Sequence, residues 1–174
     1  VNAPEFFLAL DAAIAPQIAA GGGLLSVLAT EADAFELLSI SLTGWRVVIL
    51  FEGTTVADTA DANESATAEL AFRALVQVPK DFIDRSADSL LRERIGAAPP
   101  LLVLSNVVRG LVCRAIAPGR DDFDNNEGIR FLSERPYRPG GEIVNLHAQD
   151  LSFVVTISLD APAGSYVDLF PSDS

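Results

Sequence analysis

The chain is poor in the side chains that build most catalytic and metal centres. Its 174 residues include one cysteine (Cys113), one histidine (His147) and one lysine (Lys80). A single cysteine excludes an intrachain disulfide framework and fits a reducing compartment. One His and one Cys fall short of the three or four ligands a zinc site needs, unless carboxylates supply the rest. His147 is the only imidazole available as a general base, with Asp150 three residues on. The G-x-S-x-G elbow of many serine hydrolases is absent. Positive charge is scarce too: 12 Lys and Arg stand against 24 Asp and Glu, a net charge of −12. That field repels DNA, RNA and anionic membranes at long range. The basic residues form no run, so neither a nucleic-acid nor a membrane partner is expected. Long apolar runs are missing as well. Leu101 to Ile116 is interrupted by Arg109 and Arg114 and is shorter than the roughly 20 residues of a membrane span. The apolar start, VNAPEFFLALDAAIAP, lacks the basic flank of a signal peptide.

What is present suits a folded domain. Hydrophobic residues make up 49% of the chain, enough for a core without disulfides or metal. Asn2, Pro4 and Glu5 have the arrangement of a capped helix start. Phe7, Leu10, Ile14 and Ile18 continue with helical spacing, and Pro16 predicts a kink or an early stop. Gly21, Gly22 and Gly23 punctuate its end. They lack the Gly-Lys-Ser/Thr ending of a phosphate loop, and the dinucleotide pattern G-x-G-x-x-G is absent, so no cofactor is expected. Residues 24–42 leave strand and helix both open, with Glu31 to Leu38 a short helix or loop.

From Trp45 to Phe51 both alternating faces are apolar, which predicts a strand covered on both sides. Glu69 to Val78 alternates as a second strand, and the two suit an antiparallel hairpin with a long acidic connection. Residues 81–116 predict two helical pieces broken at Gly96 and Pro99-Pro100; the second carries Leu101, Leu104, Val108, Leu111 and Ala115 on one stripe. Ile129 to Ser133 reads as a short strand, ERPYRPGGE as a turn or protruding loop, and Leu151 to Leu159 as a half-buried strand. The expected fold is α/β of the α+β kind: a mixed or antiparallel sheet packed against helices, in the order helix-strand-strand-helix-strand-strand. Residues 1–160 form one domain in this reading, and 161–174 a flexible tail.

Three further features invite chemistry. Cys113 lies beside Arg114 on a predicted helix, which suits either a lowered thiol pKa or a buried structural thiol. Asp122, Asp124 and Asn126 alternate as in a calcium loop. Yet Glu127 stands where the sharp-turn glycine belongs, and Ser133 at position twelve cannot give a bidentate carboxylate. A solvated acidic loop is the simpler reading, with weak divalent binding the alternative. Paired carboxylates are abundant, but their separation is not encoded locally.

The order of elements, closing with FLSERPYRPGGE and DLSFVVTISL, resembles the tail-terminator and minor-tail proteins of tailed bacteriophages. The resemblance spans roughly residues 3–160 and includes no catalytic signature. It implies a structural, non-enzymatic protein of the virion, assembled in the bacterial cytoplasm. Such a protein forms a homo-oligomeric ring, commonly a hexamer, between the tail tube and the head connector. DNA would pass through that ring unread. The resemblance makes loops 53–68 and 119–128 natural rim elements. On composition, Trp45, Arg135, Tyr137 and Arg138 are the candidate interface residues. The other classes left open are a non-catalytic interaction domain and a carboxylate-based hydrolase with a weakly held divalent ion.

Overall fold

A computed structural model describes residues 2–40, 42–56, 67–79, 99–115, 128–138 and 148–159. Helix α1 (Ala3–Ala20) begins with the expected capping box: Asn2 Oδ1 accepts from the Glu5 amide and Glu5 Oε2 from the Asn2 amide, both at 3.1 Å. Pro16 neither stops nor ends the helix, which continues to Ala20. Pro16 and Ala12, whose carbonyl loses its partner, are both exposed, so water satisfies the freed group. The buried stripe is Phe6, Leu10, Ile14 and Ile18. Phe6, rather than Phe7, lies one turn before Leu10, and Phe7 is only partly buried.

The glycine triplet is a structural requirement. Gly22 adopts φ +80°, a conformation few side chains tolerate. Gly23 faces the Trp45 indole so closely that a Cβ would lie 2.6 Å from its Cε2 atom. Trp45 Nε1 donates to Gly21 O at 2.9 Å, which satisfies the indole and fastens the end of α1 to the sheet.

The ambiguous stretch resolves into strand β1 (Gly23–Leu28) and helix α2 (Glu31–Ser39), capped by Thr30. These are two elements more than the expected order held. Strands β2 (Trp45–Val56) and β3 (Thr67–Gln77), helix α3 (Leu101–Ala115), and strands β4 (Arg130–Pro136) and β5 (Ala148–Ser158) follow. The sheet order is β1-β2-β3-β5-β4, with β1 parallel to β2 and every other pair antiparallel. The fold is α+β with a mixed sheet. Residues 134–136, expected in a turn, instead extend β4 along β5 as far as Pro136 opposite Gln149. The connection after β2, the first of the two predicted helical pieces in residues 81–116, the acidic loop with Asp122, His147 and the tail from 160 lie outside the described residues.

Alternation along the strands divides the core between two faces. One face carries Trp45, Val47, Ile49, Phe72, Leu151 and Phe153 against the buried stripes of α1 and α3. Phe72 and Phe153 stack across β3 and β5 with centroids 5.3 Å apart. The opposite face carries Val48, Leu50, Leu75 and Ala148 against Ala34 and Leu38 of α2 and against Tyr137. Two strand side chains moor α2: Arg46 Nη1 donates to Leu37 O, and Gln77 Nε2 donates to Leu38 O at 2.7 Å. Both carbonyls belong to the last turn, where helix acceptors run short of internal partners; Leu37 O also accepts from the Ile40 amide at 3.2 Å.

Candidate functional site

The sheet face that carries α2 also holds a buried charge cluster centred on Arg73. In sequence Arg73 sits inside the apolar run AFRALV of β3, so the strand carries it into the interior. Its side chain is 8% exposed. Nη1 donates to Asp150 Oδ2 at 3.0 Å, and Nη2 lies 3.4 Å from Glu31 Oε1. Nε lies 2.9 Å from Glu52 Oε1 but off the hydrogen-bonding direction, so that contact is ionic. Four elements converge here: α2 brings Glu31, β2 Glu52, β3 Arg73 and β5 Asp150. Glu52 follows Val48 and Leu50 on the same face of β2, just before the strand bulges at Gly53, which has φ +152°. From β4, Arg135 Nε donates to the same Asp150 Oδ2 at 3.2 Å.

These residues line a cavity of about 410 Å³, together with Pro136, Tyr137 and Arg138. Its walls carry three carboxylates (Glu31, Glu52, Asp150) and three guanidiniums (Arg73, Arg135, Arg138), so their formal charges balance. Burial alone would lower the Arg73 pKa; Asp150, then Glu31 and Glu52, more than reverse it, and the net shift is upward. Tyr137 is pushed above its ordinary value, first by burial, then by Glu31 and Asp150, with Arg73 opposing. Tyr137 Oη and Asp150 Oδ1 are buried without a hydrogen-bond partner among the described residues. All three carboxylates lie within ion-pair distance of the Arg73 guanidinium.

Three of the four candidate interface residues, Arg135, Tyr137 and Arg138, therefore meet at one cavity. The arginines are exposed and Tyr137 is buried. Trp45 is on the opposite face of the sheet, 3% exposed, with its ring against Gly23. Sequence reading missed Arg73, Glu52 and Glu31 as a group. The signal was a charge at an inward position of an apolar strand, but the helix that buries that face lay in the ambiguous stretch. Asp150 is committed to Arg73 and Arg135. Cys113 is half-buried on α3, and burial raises its thiol pKa more than Arg109 and the Phe131 backbone lower it. Among the described residues no three of His, Cys, Asp and Glu gather as a metal-ligand set. No helix among them is long and apolar enough to cross a membrane.

Among the described residues the two sides of the sheet differ in charge. The first 45 residues contain no Lys or Arg. Glu5 and Asp11 on α1, and Asp33 and Glu36 on α2, make the flank around β1 acidic, while Glu31 faces Arg73. The other flank carries Arg109 and Arg114 on α3, Arg130 and Arg135 on β4, and Arg138 just beyond it; Arg130 pairs with Glu69 of β3 at 2.6 Å and Arg135 with Asp150 of β5 at 3.2 Å. Across α3, β4 and residues 137–138 the one carboxylate is Glu134. Arg109 lies 5.1 Å over the Phe131 ring, which holds α3 against β4.

The edge strands differ in the same sense. β1 has no charge and no proline, and Leu24 and Val27 are 58% and 42% exposed. Beside its C-terminal end a shallow apolar groove of about 370 Å³ is lined by Ala3, Pro4, Phe7, Val27, Leu28, Ala29 and Phe51. β4 carries three charges, ends at Pro136 and bulges at Leu132, which is 59% exposed.

No protein-family model matches the chain. No curated protein sequence matches it significantly either.

Proposed function

We propose that this chain is a non-catalytic assembly protein that joins head-to-tail with copies of itself into a ring. The resemblance to tail-terminator proteins supplies the setting: the head-proximal end of a phage tail tube, facing the head connector. One observation carries the reading, the charge difference between the two flanks of the sheet. A ring built by rotation needs two different, mutually attractive patches on opposite sides of one subunit. An acidic flank around β1 and a basic flank around β4 meet that requirement, and complementary charge speeds and orients docking.

The Arg73 cluster supports the same reading. Its carboxylates neutralise a buried cation and join four elements, which stiffens the face that bears Arg135 and Arg138. The net charge of −12 suits a ring through which DNA passes without adhering. The test is whether the chain caps tail tubes. Added to polymerising tail-tube protein from the same genome, it is expected to sediment with the tubes and shorten them. Tubes of unchanged length with the chain left in the supernatant would contradict the assignment.

A further inference from the structure

Resting on the ring reading above, we infer that the contact between neighbouring copies is made by strands: β1 of one copy pairs antiparallel with β4 of the next, so that the sheet runs on from subunit to subunit. Strand direction is the first ground. With β1 taken as pointing up, the sheet reads up, up, down, up, down across β1, β2, β3, β5 and β4. Copies related by rotation about an axis along the strands keep that sense. An upward β1 then meets a downward β4, the antiparallel arrangement with the stronger ladder.

Level is the second. Val27 is opposite Ile49. Leu132 falls between Phe131 and Ser133, which the ladder through β5 and β3 places level with Phe51 and Leu50. The same rotation therefore brings Leu132 of one copy close to the height of Val27 on the next, beside the apolar groove.

Charge is the third, and it separates this arrangement from the obvious rival. Two copies of β1 also pair antiparallel about a twofold axis, but that sets one acidic flank against another. Pairing β1 with β4 sets the acidic flank against Arg109, Arg114 and Arg138, with Arg130 and Arg135 already paired to Glu69 and Asp150 of their own subunit. An uncharged edge strand without proline or bulge is a ready template for pairing. The bulge and Pro136 on β4 restrict pairing there to few registers, as a specific contact requires. Space allows it too. Five strands span roughly 24 Å at their usual spacing, while α1 and α3 side by side occupy about 20 Å. Helices of adjacent copies would lie next to each other without overlapping.

Cysteine cross-linking tests the contact in the full chain. With Cys113→Ser as background, Val27→Cys and Leu132→Cys are made singly and together, both at exposed positions. Mild oxidation is expected to give a ladder of disulfide-linked multimers from the double variant and monomers from each single variant. Cross-linking of Val27→Cys alone would overturn the pairing in favour of a twofold contact. Multimers by mass that fail to cross-link would overturn the pairing and leave the ring reading standing. A chain that is monomeric at every concentration, alone and with tail tubes, would overturn both. A second variant, Leu24→Lys with Val27→Lys, adds charge to the β1 edge without touching the core. It is expected to weaken self-association at least tenfold while the fold, read by circular dichroism, is unchanged. Undiminished association would count against the pairing.

Discussion

Arg73 and Asp150, on adjacent strands, form a buried ion pair at 3.0 Å on the face of the sheet that carries α2. The pair is the centre of a network that also takes in Glu31, Glu52 and Arg135, so its loss is felt in five elements. Removing Arg73 leaves the buried Asp150 with the exposed Arg135 alone to offset its charge among the described residues. Arg73→Met is therefore expected to cost about 3–5 kcal/mol, while Arg73→Met combined with Asp150→Leu costs less than the single change. Urea unfolding of both variants checks this, and a double variant less stable than the single would contradict it.

Tyr137 gives a pH dependence with a definite sign. Its folded pKa is raised, so folding favours the neutral phenol. The resulting stability is fully present below the unfolded value of about 10 and declines as pH rises through that value toward the folded one. With Cys113→Ser as background, so that the raised thiol does not contribute, unfolding midpoints are expected to hold steady from about pH 7 to 9 and to fall above about pH 10. Tyr137→Phe removes that part of the alkaline loss. It also deletes a buried hydroxyl without a partner, so its stability at pH 7 is expected to equal or exceed the parent's. A clear loss at pH 7 would mean that the hydroxyl is hydrogen-bonded.

Gly23→Ala places a methyl against the Trp45 ring at a separation no packing tolerates. The indole must move, and with it the Nε1 bond to Gly21 O. The expected cost is about 1–3 kcal/mol, with a shift in the emission of the only tryptophan. An unchanged spectrum and midpoint would show that the turn relaxes freely.

Cys113 is expected to react with a thiol reagent at pH 8 more slowly than a free cysteine. Burial raises its pKa and lowers its thiolate fraction. A rate above that of free cysteine would contradict the assignment.

Local patterns in the sequence carried the elements with the strongest periodicity. The Asn2–Glu5 capping box, the two-sided strand from Trp45, the antiparallel partner around Phe72 and the closing strand around Phe153 were each legible from side-chain alternation or spacing. Non-local effects hid the rest. Residues 24–42 had too little alternation to separate strand from helix, because β1 is an edge strand and α2 buries only Ala34 and Leu38. Of the kink or early stop that Pro16 suggested, the early stop does not occur, because both Pro16 and Ala12 face outward and the helix runs on to Ala20. The Arg73 cluster joins positions as far apart as 31 and 150, a distance that no spacing rule spans. Arg135, Tyr137 and Arg138 were singled out by residue type, and the pairing of β4 with β5 places them along one cavity.

The central claim is that complementary flanks drive head-to-tail association. Absolute mass by light scattering, over a wide concentration range at low and at high salt, tests it most directly. The account predicts a mass that rises with concentration toward a closed multiple of the 18.4 kDa chain, and that falls at high salt as the flanks are screened. A mass fixed at one chain under every condition would contradict it.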